Sequence, residues 1–165
     1  MSDEDPRKPL RDPDAIEAVS FFLAKTAKEM GYAVTVSVHE HERETVFELV
    51  GADAQHLVGK KGVTLDALQL LASRVASKAL DGDRAVIVLD AAGYRAQREK
   101  SLTSMAEKLG QECVERGKVI VMDPLPPRER RVVHMALARF PGVVTRSEGD
   151  GEERRIKIIP MPEPR

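Results

Sequence analysis

Four consecutive residues, Gly59-Lys60-Lys61-Gly62, place two glycines and two positive charges directly before an apolar helical pattern. Glycine allows the backbone to approach a ligand closely and to adopt positive φ angles. The free amides at the start of the following helix favour anions, and Lys60 and Lys61 add mobile positive charge at the same point. This stretch is therefore suited to hold the phosphates of a nucleic-acid backbone.

Apolar residues on both sides of the stretch extend this hypothesis from phosphates to bases. Leu57 and Val58 on one side, with Leu65 on the other, are predicted to form an apolar floor for splayed bases. A GXXG loop between two helices is typical of a KH domain, which holds about four nucleotides of single strand. The alternative is a plain link between helices with exposed lysines. A nucleotide-binding P-loop is excluded because its G-x-x-x-x-G-K-S/T spacing is not met.

A second basic cluster lies in "PPRERRVVHMALARF". Arg130 and His134 are four residues apart and so share one face of a helix. A guanidinium can bind phosphate oxygens with two parallel hydrogen bonds, and an imidazole donates one and becomes charged below about pH 6.5. The alternative is that the pair only packs within its domain. The nearby cations predicted to contribute to the same nucleic-acid contact are Arg128, Arg131, Arg155 and Lys157.

Hydrophobic periodicity predicts the elements that position these residues. The pattern from residue 13 to 91 reads α-β-β-α-α-β, with the GKKG loop between the second and third helices. A long helix from Tyr94, with Leu102, Met105, Leu109 and Cys113 on one face, opens a second unit that reads α-β-α-β-β over residues 94–160. The fold class is therefore α+β, in two small domains. Residues 1–12 are predicted to be a disordered leader and residues 161–165 a frayed tail.

Composition limits the classes of function. The chain has 165 residues, no tryptophan and one cysteine, Cys113, which cannot form an internal disulfide and falls on an apolar face. No apolar run approaches the roughly 20 residues of a membrane helix, and the first 14 residues lack the apolar core of a signal peptide. Both features favour a soluble cytoplasmic protein. The net charge is −5 up to Gly93 and +4 from Tyr94 onward, so a polyanion partner is favoured for the second half. No metal, cofactor or catalytic activity is predicted, because no metal-ligand spacing occurs and no nucleophile lies beside His134.

Four separated motifs resemble the Jag family of bacterial RNA-binding proteins. They are "LVGKKGVTLDALQLLASRVA", "VIVLDAAGYRAQREKSL", "MDPLPPRERRVVHMAL" and "VVTRSEGDGEERRIKIIP", in this order, and the resemblance covers about residues 14–160. The family combines a KH domain with a domain named for an Arg-x-x-x-His (R-3-H) motif. Gly59 to Gly62 match its GXXG loop, and Arg130 and His134 match its Arg-x-x-x-His pair.

The resemblance implies a type II KH domain, because that type has the order α-β-β-α-α-β, followed by an R-3-H domain. It also implies non-catalytic binding of single-stranded RNA by both domains, as a regulator or RNA chaperone linked to the cell envelope or cell division. Many members carry a further N-terminal Jag domain, whereas this sequence starts almost at its KH domain. Association with a membrane insertase is therefore not part of the prediction. A ribosome-assembly role, single-stranded DNA as ligand, and pairing with a second KH protein or a second copy remain open.

Overall fold

The first helix of the first unit is capped by its own sequence. The computed structural model describes residues 8–161. In it, α1 (Pro13–Glu29) starts where the Asp12 carboxylate accepts a hydrogen bond from the Ala15 amide at 2.8 Å, with proline at the first helical position. Met30 caps the C-terminal end of the helix and is followed by Gly31 at φ +86°. Its buried residues recur at helical spacing and face the core: Ala15, Val19, Leu23 and Ala27.

A four-stranded sheet lies against α1 and a second helix, α2 (Val63–Ala79). Its strands are β1 (Lys8–Pro9), β2 (Thr35–Glu40), β3 (Thr45–Val50) and β4 (Ala85–Ala91), in the order β1-β4-β3-β2. Strands β2 and β3 form an antiparallel hairpin, and β3 pairs with β4 in parallel. The predicted short helix before the GKKG loop is a 3-10 helix, Ala54–Leu57. The predicted order α-β-β-α-α-β is confirmed.

The prediction of a disordered leader is wrong for residues 8–12, and residues 1–7 lie outside the described part. Strand β1 pairs in parallel with the start of β4, and Leu10 is buried in the core. The Thr45 hydroxyl donates a hydrogen bond to the Leu10 carbonyl at 2.7 Å, and Arg11 forms an ion pair with Glu40. A two-residue strand is too short to show an alternating pattern in the sequence.

The second unit has the predicted order α-β-α-β-β. Its elements are α3 (Tyr94–Arg116), β5 (Ile120–Val121), α4 (Pro127–Leu137), β6 (Val143–Glu148) and β7 (Arg155–Pro160). The strands form an antiparallel sheet in the order β5-β7-β6. The first compact unit ends at Arg95 and the second begins at Ala96. Of the predicted tail, Met161 is held by a backbone hydrogen bond to the Gly142 carbonyl, and residues 162–165 are not described. No helix within residues 8–161 is both long and apolar enough to cross a membrane.

The buried face of α3 differs from the predicted one. Met105 is exposed, and the buried line is Leu102, Ala106, Gly110 and Cys113. A Cβ atom on Gly110 would lie 3.0 Å from Leu137 and 3.2 Å from Phe140, so small residues allow close packing here. The prediction of Cys113 as a core thiol is confirmed, and burial raises its pKa.

Candidate nucleic-acid interface

The GKKG loop forms a compact turn with unusual backbone angles. Gly59 lies at φ +72°, Lys61 at +53° and Gly62 at +83°, so three of its four residues have positive φ angles, and Lys61 and Gly62 are left-handed. A non-glycine residue in this region costs about 1–3 kcal/mol, and such strain is concentrated at functional sites. Both lysines are exposed. The loop therefore presents two cations and its backbone to solvent directly before α2.

The two glycines are required by their neighbours as well as by their φ angles. A Cβ atom on Gly59 would lie 2.2 Å from the Thr64 hydroxyl oxygen, and one on Gly62 would lie 2.8 Å from the ring of Tyr94. Real Cβ contacts are essentially never below 3.0 Å. The backbone of the loop is thus pressed against Thr64 on one side and Tyr94 on the other.

The prediction that Leu57 and Leu65 form an apolar floor for bases is wrong, because both leucines are buried. Leu57 and Leu65 have no exposed surface, and Val58 is only 8% exposed. The Leu65 amide donates to the Val58 carbonyl at 3.1 Å, so these residues join the two helices beneath the loop. The apolar residue that solvent reaches here is Val63, the first residue of α2, at 68% exposure.

Arg95 links the first turn of α2 to the sheet. Its Nη2 donates to Asp66 Oδ1 at 3.2 Å, and its Nε donates to the Leu89 carbonyl at 2.6 Å. Further along α2, the Gln69 side chain donates to the Ile87 carbonyl at 2.9 Å and accepts from the Leu89 amide at 2.6 Å. Side chains of Gln69 and Arg95 therefore bond backbone groups of Ile87 and Leu89 in β4, beyond the two residues of β4 that pair with β1.

Sequence reasoning missed Thr64, Gln69, Tyr94 and Arg95. Tyr94 follows Gly62 by 32 residues, and Arg95 follows Asp66 by 29. Motif spacing and helical periodicity compare neighbouring residues only, so neither signal reports contacts of this range. Thr64 and Gln69 already lie on α2, and the fold brings Tyr94 to the loop and Arg95 to the first turn of α2.

In the second unit, Arg130 and His134 make contacts inside their own domain. Arg130 Nη1 donates to the Leu125 carbonyl at 2.8 Å. The His134 ring lies between two hydroxyls of β6, with Nδ1 at 2.6 Å from Thr145 Oγ1 and Nε2 at 2.8 Å from Ser147 Oγ. Hydroxyls donate and accept, so a neutral imidazole is satisfied at both nitrogens. Burial, and secondly the charge of Arg130, lower the pKa of His134 below 6.5.

The structure does not bring Arg155 and Lys157 to the same face as His134. Ile156 and Ile158 of β7 face the core, so the alternating Arg155 and Lys157 lie on the opposite face of the sheet. Each is also paired with an acid. Arg155 lies 3.2 Å from Glu153, and Lys157 forms an ion pair with Glu148.

The two remaining predicted cations, Arg128 and Arg131, are exposed on α4. The start of that helix is held by Glu129, whose carboxylate accepts two hydrogen bonds from Arg98 of α3 at 2.8 and 2.9 Å. This fork-shaped pair is mostly buried, with side-chain exposures of 20% and 13%. It fixes the N-terminal turn of α4, from which the arginines project.

Comparison with known proteins places similar domains over both units. A family model described as the KhpA/KhpB KH domain matches residues 16–89, and one described as the R-3-H domain matches residues 100–160. A protein of Clostridium symbiosum named RNA-binding protein KhpB is 36% identical over 154 residues, which is 92% of this chain and 67% of that protein. Proteins of the same name from Bacillus subtilis and Lactiplantibacillus plantarum are 30% and 31% identical. They align with 88% and 87% of this chain, over 70% and 44% of their own lengths.

Proposed function

The chain belongs to the KhpB (Jag) family of bacterial RNA-binding proteins, and from this premise we propose that it is a non-catalytic RNA regulator that grips single-stranded RNA by its phosphates at the GKKG loop. The observation that carries this proposal is the geometry of the loop. Two adjacent exposed lysines lie between Gly59 and Gly62, in a backbone with positive φ angles that packs against Thr64 and Tyr94.

The chemistry of the loop suits a phosphate better than a base edge. Lys60 and Lys61 carry donors without acceptors, so they can bind phosphate oxygens but cannot complement a base that also needs an acceptor. The start of α2 adds the positive end of a helix dipole. Such contacts position a strand without reading its sequence. Base contacts would then come from neighbouring surface, with Val63 as the exposed apolar candidate.

The test replaces both loop lysines with aspartate in the full chain. Lys60→Asp with Lys61→Asp should weaken binding to a single-stranded RNA strongly, while circular dichroism shows an unchanged fold. The matched control is Lys28→Asp with Lys78→Asp, which makes the same change of charge at exposed positions near the ends of α1 and α2. Equal weakening by the two pairs would attribute the effect to net charge and contradict a local clamp.

RNA and DNA are distinguished by competition between matched single-stranded oligomers. An RNA ligand is expected to compete better, because only RNA offers a 2′-hydroxyl. Crosslinking in cells, followed by sequencing of the bound RNA, would test the regulatory role. Enrichment of messenger RNAs would support it, whereas enrichment confined to ribosomal RNA would indicate ribosome assembly instead.

A further inference from the structure

Three arginines and one methionine form a stripe on the solvent side of α4. Arg128, Arg131 and Met135 are spaced three and four residues apart, and Arg139 follows four residues later in the turn that ends the helix. Successive helical residues turn by about 100°, so these side chains share an arc of roughly 80°. Val133 and Leu137, which are buried, lie on the opposite side. We refer to Arg128, Arg131, Met135 and Arg139 as the α4 stripe.

The arginines of the α4 stripe have no acidic partner among the described residues. No carboxylate in residues 8–161 lies within ion-pair distance of any of the three. Some cations elsewhere in residues 8–161 form ion pairs, whereas others, such as Arg74 and Arg146, do not. The pairs are Arg11 with Glu40, Arg95 with Asp66, Arg98 with Glu129, Arg116 with Glu112, Arg155 with Glu153, and Lys157 with Glu148. In a chain with a net charge of −1, three such arginines on one helix face form a local excess of positive charge.

Met135 interrupts this positive charge with apolar surface. Its side chain is 65% exposed between Arg131 and Arg139, although methionine is usually buried. An unbranched, polarisable thioether adapts to flat or irregular partners and makes favourable contacts with aromatic rings. An apolar centre between guanidinium groups matches a strand that offers phosphates on both sides of a base.

We propose that the α4 stripe is the surface with which the second unit binds single-stranded RNA, and that Arg130 and His134 are positioning residues behind it. The three guanidinium groups would bind phosphate oxygens, and Met135 would contact a base or ribose. Arg130 and His134 hold α4 through the Leu125 carbonyl and the hydroxyls of Thr145 and Ser147. The inference rests on the proposed RNA-binding function and assigns its contacts in the second unit.

The test measures RNA affinity of the full chain as a function of salt concentration. Arg131→Ala with Arg139→Ala should reduce the slope of log K against log salt by about 1.4, because each lost single-strand phosphate contact removes about 0.7. The control is Arg116→Ala with Lys118→Ala, which removes the same charge at exposed positions in the same unit and should leave the slope unchanged. Equal slopes for the stripe and control variants would overturn the proposal. Arg131→Lys with Arg139→Lys keeps both positive charges and should therefore keep the slope. An unchanged slope in this variant shows that substitution at these two positions does not by itself unfold the protein.

Two further variants separate the roles of the residues on α4. Met135→Ala should lower the affinity without changing the salt slope, and an unchanged affinity would remove Met135 from the surface. Arg130→Ala should lower the melting temperature and leave the slope unchanged once the folded fraction is corrected for. If Arg130→Ala instead reduced the slope at unchanged stability, Arg130 would be a phosphate contact and its positioning role would be refuted.

The clamp variant, Lys60→Asp with Lys61→Asp, is measured in the same assay so that the two claims fail separately. Loss of affinity in the clamp variant with an unchanged slope in the stripe variant would refute only the α4 stripe. A reduced slope in the stripe variant with full affinity in the clamp variant would support the stripe and contradict the clamp.

Discussion

The most direct test of the loop geometry is to substitute alanine at two glycines that have nearly the same φ angle but different surroundings. Gly62 lies at φ +83° with the Tyr94 ring 2.8 Å from the position of a Cβ atom. Gly31, after α1, lies at φ +86° with no atom within 4 Å of that position. Both substitutions incur the same kind of backbone penalty, and only Gly62→Ala adds a steric conflict.

The expected losses of unfolding free energy follow from these two terms. Alanine in a left-handed conformation costs about 1–2 kcal/mol, which is the whole expectation for Gly31→Ala. Forcing an extra methyl group into packed surroundings costs about 1–3 kcal/mol more, so Gly62→Ala should lose about 2–5 kcal/mol. The entropic effect of removing a glycine from the unfolded chain is common to both and cancels in the comparison.

The assay is urea unfolding of each variant, followed by hydrogen exchange at protected amides of the first unit. Exchange is preferred to one spectroscopic signal because a chain of two units need not unfold in one step. RNA affinity should fall for Gly62→Ala, whose loop must move, and should stay unchanged for Gly31→Ala. In a Tyr94→Ala background the added cost of Gly62→Ala should shrink, which is a coupling measurable by a double-mutant cycle. Equal losses for both glycines, or no coupling with Tyr94, would refute the reasoning.

Three other predictions concern His134, Cys113 and Leu10. Because the pKa of His134 is lowered below 6.5, the second unit should be most stable above about pH 6.5 and lose stability as the pH falls through the folded pKa. His134→Gln should flatten this pH dependence of stability. A midpoint at or above pH 6.5 in an NMR titration of His134 would contradict the prediction. Burial of the Cys113 thiol, which raises its pKa, should make alkylation by iodoacetamide far slower in the native protein than in urea, and equal rates would exclude a core position. Leu10→Ala should destabilise the first unit by about 2–5 kcal/mol in urea unfolding, and a loss well below that range would show that residues 8–12 are not part of the core.

Residues close together in the sequence determined the elements and their order. Hydrophobic periodicity predicted the orders of helices and strands over residues 13–91 and 94–160, and both orders are confirmed. The GKKG loop was predicted between two helices and lies there. These features depend on side-chain alternation, helical periodicity and capping, which are properties of neighbouring residues and can therefore be read from the sequence.

Only the tertiary structure decided which of these residues are accessible and which are paired. Leu57 was predicted to contact bases and is fully buried. Met105 was predicted to lie on the apolar face of α3 and is exposed, because Ala106 and Gly110 form the closely packed face of that helix instead. Arg155 and the Arg130–His134 pair have similar side-chain chemistry but lie on opposite sides of the sheet: Arg155 points away from the core, whereas His134 of α4 contacts β6 on the core side. Burial and ion pairing are set by partners tens of residues away, as with Tyr94 at Gly62, and local sequence patterns carry no information about such distant partners.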